Sequence, residues 1–307
     1  MIDVGYAGVI GGDRIVDGDE LYGPGFSEDV EWGDTYGPAT YLAYVPFEQA
    51  LPWSGRWDDL PAAHGAAIAF DLLTIGDLFL LGRRLRAGAE GRMLGAALAY
   101  AWAAYPYTAF ALETNSNDTL VAMLVVGALL GLTLEPARAR LSALSRGAAI
   151  GLGAAAKFAP LVLAPLFAMA GERRSARTLL LFLLALAAVV LITVLPFVPD
   201  GGPRELYDRT FGYQAGRPSP FSLWGQEPSL DWLQTAVKAT AVVVALGVAL
   251  FPRRKSPRQV AALGGAVVIL VELAATHWFY LYVVWFAPLL LVTVLGAYRQ
   301  NAREAPA

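Results

Sequence analysis

The chain has 307 residues, of which 56% are hydrophobic and 16% are charged, and its mean hydropathy is +0.49. This composition excludes an ordinary soluble domain and favours a protein that crosses a membrane several times. The absence of cysteine, the presence of only two histidines and the lack of a basic patch with interleaved aromatics argue against disulfides, metal centres and a nucleic-acid partner.

Residues 1–61 are predicted to be an outer loop region with helices close to the membrane. Residues 3–16 predict a short helix that stops at Gly18. Residues 38–53 predict a second helix, too short to span, lying at the interface with Tyr41, Tyr44 and Trp53 near the lipid head groups. The first residues have neither the basic nor the apolar part of a signal peptide. Because residues 1–61 are nevertheless expected outside the membrane, we expect that a preceding membrane helix is missing.

Residues 62–298 are predicted to form an all-α membrane bundle, because lipid offers backbone groups no other hydrogen-bonding partner. A helix needs about 20 apolar residues to cross a bilayer. About seven segments meet this need, and we expect spans at 62–82, 93–112, 118–134, 178–198, 233–251, 259–275 and 278–296.

Residues 147–170 form a different kind of apolar segment, interrupted by Lys157 and a proline. Basic loops flank both ends, with Arg146 before the segment and an arginine pair at 173–174 after it. A single crossing would place one of these loops on the wrong side of the membrane. We therefore expect a re-entrant pair of half-helices, whose break faces protein or a water-filled cavity.

The loops between the segments are sorted by charge. Five loops hold 16 of the 23 Lys and Arg residues but only 4 of the 26 acids, and they lie at 83–92, 135–146, 170–177, 252–258 and 297–307. The other loops, with residues 1–61, hold 19 acids and 5 arginines. Cytoplasmic loops retain Lys and Arg, so we expect a plasma-membrane protein with the tail 299–307 inside and residues 1–61 and 199–232 outside.

Polar side chains gather at the predicted outer face, where a carboxylate could deprotonate a hydroxyl and cations could hold a phosphate. The candidates are Asp3, Glu31, Asp34, Tyr36, Asn115, Asn117, Asp118, Lys157, Arg217, Trp224, His277 and Tyr280. Lys157 stands apart because a lysine in so apolar a stretch needs a partner or water.

Most of these candidates also have an ordinary structural interpretation. Asp3 fits a solvated acid or a helix cap, and Asp34 fits a turn residue. Asn117 and Asp118 fit a helix N-cap better than a catalytic pair. Arg217 and His277 are also compatible with ordinary surface positions.

Three acids within the predicted spans support a rival interpretation. Asp71, Asp77 and Glu272 would be the proton or ion sites of a multi-span transporter or lipid flippase. Their ordinary role is an internal hydrogen bond or ion pair between helices. Two observations argue against a transporter. Internal repeats are common in transporters, but the chain shows none, and its other polar residues gather on one face. A non-catalytic subunit or a fragment without activity is a third alternative.

Several short segments carry a family resemblance when they are taken in order. They are Asp3-Val4-Gly5-Tyr6-Ala7, Ile15-Val16-Asp17-Gly18, Leu21-Tyr22-Gly23, Asp34-Thr35-Tyr36-Gly37-Pro38, Ala156-Lys157-Phe158-Ala159-Pro160-Leu161 and His277-Trp278-Phe279-Tyr280-Leu281. With them the chain resembles the membrane-embedded GT-C glycosyltransferases, especially the polyprenyl-phosphate-sugar-dependent mannosyltransferases of glycosyltransferase family 87. It departs from the pattern in the first membrane helix, which we expect to be missing, and where Asn115-Ser116-Asn117-Asp118 replaces a Gln-Asn pair.

The resemblance implies transfer of a sugar, with mannose favoured, from a polyprenyl-phosphate donor to a hydroxyl of a glycolipid or glycan on the outer face. Asp3 would act as the general base of an inverting displacement, with Asp34 as a second carboxylate that binds the acceptor or substitutes as base. Lys157, Arg217 and His277 would bind the donor phosphate, and the other candidates would contact substrate. No cofactor and no metal are expected.

Overall fold

The computed structural model describes residues 3–23, 26, 30–56, 59–171 and 175–298. These residues form helices joined by loops, with one isolated β-bridge between Gly171 and Lys255. The arginine pair at 173–174 and the predicted tail at 299–307 lie outside the described residues. Within the described part, the prediction of an all-α protein is confirmed.

Two helices precede the bundle and pack against each other: α1, Asp3–Asp17, and α2, Pro38–Ala50. Gly8 lies so close to Tyr44 that an added Cβ would come within 2.6 Å of the ring carbons. Tyr41 and Tyr44 are fully buried in this contact. The expectation that these two tyrosines lie among lipid head groups is therefore wrong, because α1 covers the aromatic face of α2.

The next part of the chain supplies the first half of the bundle. Its helices are α3 Pro61–Leu85, α4 Gly88–Ala103, α5 Pro106–Glu113, α6 Asp118–Leu132, α7 Ala139–Ala156, α8 Ala164–Ala168 and α9 Ala176–Val194. The remaining part begins with short helices of the second outer loop and ends with long ones. They are α10 Pro203–Tyr207, α11 Tyr213–Gly216, α12 Leu223–Gln226, α13 Asp231–Leu250, α14 Pro257–Ala274 and α15 Val283–Leu295.

Four helices in the described part are long and apolar enough to cross a membrane, so the chain is a multi-pass membrane protein. These four are Pro61–Leu85, Ala176–Phe197, Pro228–Leu250 and Pro257–Ala274. The predicted spans at 118–134 and 278–296 appear as shorter apolar helices. The predicted span at 93–112 is broken at Tyr105, because Pro106 lacks an N–H and disfavours a helical residue before it.

The predicted re-entrant pair is present, with its break at Lys157 between α7 and α8. Arg146 lies inside α7 rather than in a loop, and its side chain is buried. Its Nη1 donates to the carbonyl oxygens of Phe167 at 2.7 Å and Ala170 at 3.0 Å. These bonds join the first half of α7 to the end of α8, so both half-helices return to the same end of the bundle.

The basic loops meet at that end. The side chains of Arg86 and Arg258 donate to the carbonyl oxygen of Gly296, at 3.1 and 3.5 Å. The bridge between Gly171 and Lys255 joins the basic loop 170–177 to the loop 252–258, which also holds Arg258. The break at Lys157, the start of α6 and the end of α14 all lie at the opposite end, where the candidate polar residues are found.

Candidate functional site

The site is built around the break between α7 and the segment that leads to α8. Ala156 is the last residue of α7, and its carbonyl oxygen accepts hydrogen bonds from Gly37 N at 3.1 Å and Thr40 Oγ1 at 2.9 Å. Gly37 is required here, since a Cβ at this position would come within 1.9 Å of the Ala155 carbonyl oxygen. The start of α2 is therefore attached to the break, which brings the outer region against Lys157.

Lys157 is buried in an aromatic cage with one carboxylate. Its Nζ lies 2.5 Å from Asp118 Oδ1, and both side chains are less than a tenth exposed. The rings of Tyr36, Tyr282 and Trp285 surround the ammonium, with centroids 5.6, 6.0 and 5.6 Å from Nζ. The electron-rich faces of the rings and the carboxylate together offset the cost of burying this charge.

Asp118 is the partner that the isolated lysine required. Its Oδ1 also accepts from Trp285 Nε1 at 2.8 Å, and its Oδ2 accepts from the Ser116 hydroxyl. Asn117 occupies the predicted N-cap position of α6, but its side chain makes no capping hydrogen bond. The Ser116 hydroxyl oxygen instead accepts from the Asp118 N–H at 3.2 Å.

Asp3, Tyr36, Lys157, Arg217 and His277 all line one polar pocket of about 320 Å³, together with Asp118. The structure thus brings together the predicted base and the three predicted phosphate ligands, although they come from distant parts of the sequence. Asp3 is exposed and stands in the first turn of α1, where the helix dipole favours a carboxylate.

Arg217 and His277 are positioned by contacts between the second outer loop and the end of α14. Ser219 Oγ donates to the Trp278 carbonyl oxygen at 3.1 Å, and Ser222 Oγ donates to that of Thr276 at 2.5 Å. In the described part of the chain, Arg217 forms no ion pair with a carboxylate. Its positive charge is available to a ligand.

His277 is half-buried, and its protonation depends on what occupies the pocket. Burial lowers the pKa of its imidazole, and the nearby Arg217 guanidinium lowers that pKa further. Nδ1 lies 3.3 Å from the Pro218 carbonyl oxygen, which can only accept, so this nitrogen carries the proton. In the neutral ring Nε2 is then an acceptor, and His277 would donate to an anion only as an imidazolium.

An apolar cavity of about 490 Å³ adjoins the polar pocket. Tyr36, Lys157, His277 and Tyr282 line both, so the two spaces meet at the lysine. Beyond this junction, most of the wall is aliphatic or aromatic, with contributions from Ala156, Phe158, Val162, Phe211, Ala241, Val242 and Val271. The combined space is therefore polar and cationic at one end and apolar at the other.

Asp34 lies outside the polar pocket. It is buried, and its Oδ2 is 2.7 Å from Arg209 Nη1, in an ion pair that the sequence did not indicate. Arg209 Nε also contacts Glu205 Oε1 at 3.1 Å. Glu31 is exposed and lines neither the polar pocket nor the apolar cavity.

Four other predicted substrate ligands also lie beside the polar pocket rather than in its wall. Asn115 and Asn117 are buried, and Asn115 Oδ1 and both polar atoms of the Asn117 side chain have no hydrogen-bond partner. Trp224 Nε1 donates to the Leu273 carbonyl oxygen at 2.8 Å, which anchors the outer loop. Tyr280 packs in an aromatic cluster, with its ring 4.0 Å from that of Phe279.

The three intramembrane acids have separate environments. Asp71 is buried, and its Oδ1 accepts from Trp102 Nε1 at 2.7 Å, which is an internal hydrogen bond between α3 and α4. Asp77 is half-buried on α3. Glu272 is buried in the wall of the apolar cavity, and its Oε1 has no hydrogen-bond partner.

Sequence reasoning missed several residues of the site. Tyr282 belongs to the predicted outer turn, but its contact with Lys157 was not predicted, and Trp285 lies in an apolar helix, where a tryptophan gives no sign that it will cage a lysine. Arg209 is one of the few outer arginines, and that rarity was the available signal. Among the described residues, no group of three or more His, Cys, Asp or Glu side chains could hold a metal ion.

The arrangement of helices in this membrane protein is shared with a solved structure. Superposition on solved structures matches ArnT from Cupriavidus metallidurans bound to undecaprenyl phosphate, with a TM-score of 0.66 and 16% sequence identity. The match covers 97% of this chain and 55% of the ArnT chain, so this chain spans about half the length of that structure. No protein-family model matches the sequence, and no curated protein sequence does.

Proposed function

We propose that the protein is an integral-membrane glycosyltransferase that moves a sugar from a polyprenyl-phosphate donor to an acceptor hydroxyl. One observation carries the proposal: the polar pocket with Lys157 and Arg217 adjoins an apolar cavity, and Lys157 lines both. A lipid phosphate has the same division, with an anionic head and a hydrocarbon chain. That ArnT, which shares the fold, was solved bound to undecaprenyl phosphate supports this class of donor.

The donor phosphate would lie between Lys157, Arg217 and His277. The Lys157 ammonium is held in place by Asp118, so it needs little reorganisation to face an anion. Arg217 adds a cation without a carboxylate partner in the described part of the chain. His277 would contribute when an anion draws a proton onto Nε2. Together they would stabilise the second negative charge that develops on the phosphate as the sugar leaves.

Asp3 is the proposed general base. The acceptor oxygen would attack the anomeric carbon as its proton passes to the Asp3 carboxylate, while the bond from that carbon to the phosphate oxygen breaks and polyprenyl phosphate leaves. Attack opposite the leaving group inverts the configuration. Asp34 is proposed to bind acceptor rather than to take the proton, because Arg209 already engages its carboxylate.

Two further features of the proposal rest on the sequence. Mannose is the favoured sugar because of the resemblance to family 87 enzymes. The active face is assigned to the outside of the plasma membrane because the basic loops gather at the other end of the bundle.

The test is sugar transfer from radiolabelled polyprenyl-phosphate-mannose in membranes that contain the protein or its Asp3→Asn variant. We expect transfer by the wild-type chain and a loss of about 10²–10⁴-fold in the variant, the usual contribution of a general base. Asp34→Asn serves as the matched carboxylate control and should retain the chemical step. Equal transfer by the wild-type chain and Asp3→Asn would show that Asp3 is not the general base.

The Asp71→Asn variant distinguishes a transporter from the proposed glycosyltransferase. Asp71 lies outside the polar pocket, and an asparagine oxygen can still accept the hydrogen bond from Trp102, so we expect this change to leave the transfer rate per folded molecule unchanged. A protein without transfer activity that loses proton-coupled transport on Asp71→Asn would instead be a transporter.

A further inference from the structure

A second cavity, of about 620 Å³, lies beside the polar pocket, and Asp34 is the one residue of its lining that the mechanism above uses. One wall is aromatic: the rings of Trp32 and Tyr213 are stacked 5.1 Å apart at an angle of 16°. Another wall carries the Asp34–Arg209 ion pair with Glu205. We refer to this space as the outer cavity.

The outer cavity and the polar pocket share a wall. The consecutive residues Asp34 and Thr35 line the outer cavity, and the next residue, Tyr36, lines the polar pocket. On another side, the Arg217 guanidinium lies 5.9 Å from the centre of the Tyr213 ring. A molecule in the outer cavity therefore lies next to the residues proposed to carry out the transfer.

The chemistry of the walls indicates what would bind. The cavity has no aliphatic side chain in its described lining, which disfavours a lipid chain. Its lining has two arginines and three carboxylates, so it does not select an anion. A stacked aromatic face beside fixed carboxylate and guanidinium groups matches a neutral sugar, which has an apolar C–H face and hydroxyl edges that both donate and accept hydrogen bonds.

We infer that the outer cavity binds the non-reacting part of a neutral, hydroxyl-rich glycan acceptor. This inference rests on the proposed glycosyltransferase function and names the substrate class of its second site. The sugar ring would pack on Trp32, and its hydroxyls would bind the groups around Arg209. The neighbouring sugar of the same glycan would then present its hydroxyl to the pocket of Asp3.

The inference predicts that Trp32 contributes to the affinity for the acceptor but not to the affinity for the donor or to kcat. Trp32 is 59% exposed, so Trp32→Ala removes a binding surface without opening the core. Using mannotriose as acceptor, we expect its KM to rise about tenfold or more, which corresponds to about 1.4 kcal/mol or more of lost binding free energy. The KM for the polyprenyl-phosphate donor and the kcat should stay within about twofold. Trp32→Tyr should restore most of the acceptor affinity.

The matched control is Trp232→Ala. Trp232 is 70% exposed and lines none of the three cavities, so its removal should change neither KM. Asp208→Ala is a second variant, because Asp208 is exposed and lines the outer cavity. An unchanged acceptor KM in both Trp32→Ala and Asp208→Ala would overturn the inference.

A binding measurement separates this inference from the proposed function. Saturation-transfer NMR with mannotriose and methyl arabinoside would use protein in a detergent without a sugar head group. Signal in the wild type and in Trp232→Ala, but not in Trp32→Ala, supports the inference. If the protein binds polyprenyl phosphate but neither mannotriose nor methyl arabinoside, the inference is overturned and the proposed donor site is unaffected. Absence of polyprenyl phosphate binding would contradict the proposed function itself.

Discussion

Lys157 and Asp3 line the same polar pocket but are held in opposite ways. Lys157 is buried, ion-paired with Asp118 and enclosed by three aromatic rings. Asp3 is exposed in the first turn of α1. The difference corresponds to what each would do. A group that receives a lipid phosphate benefits from a fixed position in a dry site, whereas a base must exchange its proton with solvent after every turnover.

The largest effect should follow from breaking the buried pair. Asp118→Leu leaves the Lys157 ammonium without its carboxylate, and we expect it to lower the free energy of unfolding by about 3–5 kcal/mol. Thermal unfolding of the purified protein in detergent measures this loss. The double variant Asp118→Leu, Lys157→Met should recover most of the stability but no transfer activity. Asp3→Asn should be near neutral, and equal losses for Asp3 and Asp118 would contradict the comparison.

Arg217 tests the unpaired cation of the pocket. Arg217→Gln removes a charge that has no carboxylate partner among the described residues, so stability should change little. Loss of a hydrogen bond to a charged group costs about 1.5–3 kcal/mol, which corresponds to a rise in the dissociation constant for polyprenyl phosphate of roughly 10–100-fold. Equilibrium binding of labelled polyprenyl phosphate measures it. Arg204→Gln, at an exposed site in the outer loop, is the control and should bind normally.

Gly37 tests whether the outer region must touch the break at Lys157. In Gly37→Ala the new methyl group would meet the Ala155 carbonyl oxygen, so α2 must move away from α7. We expect a destabilisation of about 1–3 kcal/mol together with a lower donor affinity, because Tyr36 would shift from the lysine. Gly76→Ala is the control, since a Cβ there meets nothing within 4 Å. Unaltered donor affinity in Gly37→Ala would show that the contact is only structural.

The smallest effect concerns His277 and pH. Burial and the Arg217 guanidinium lower the pKa of the His277 imidazole, whereas a bound phosphate would raise it, so we expect binding to take up a proton. Donor affinity should therefore be greatest at acidic pH and fall as the pH rises through the pKa of the complex. We expect a change of about threefold to tenfold, consistent with roughly 1 kcal/mol. His277→Gln should lose this dependence, while Arg217→Gln should keep it.

The broad outline of the fold followed from the sequence because it depends on composition. The apolar segments, the sorted charges and the doubly flanked segment around Lys157 are properties of single stretches of chain, and membrane physics turns each into a helix or a hairpin. The break of the 93–112 segment at Tyr105 was also readable, since Pro106 was visible. The burial of Tyr41 and Tyr44 was not, because it depends on the docking of α1.

The site was predictable only in part, for a related reason. The sequence marked Lys157 as needing a partner but could not choose among the carboxylates, since Asp118 is 39 residues away and looked like a helix cap. The same limit hid the pairing of Asp34 with Arg209, at a separation of 175 residues. Residue type indicates the chemistry a site requires, whereas pairing is decided by helices that meet in space.

The carbonyl oxygen of Ala156 has a consequence for how two substrates meet. It accepts hydrogen bonds from both Gly37 and Thr40, so one peptide group joins the end of α7 to the segment that separates the polar pocket from the outer cavity. Residues 34–36, which line the two spaces, directly precede this attachment. We therefore expect a change at the end of α7 to affect the donor and acceptor sites together.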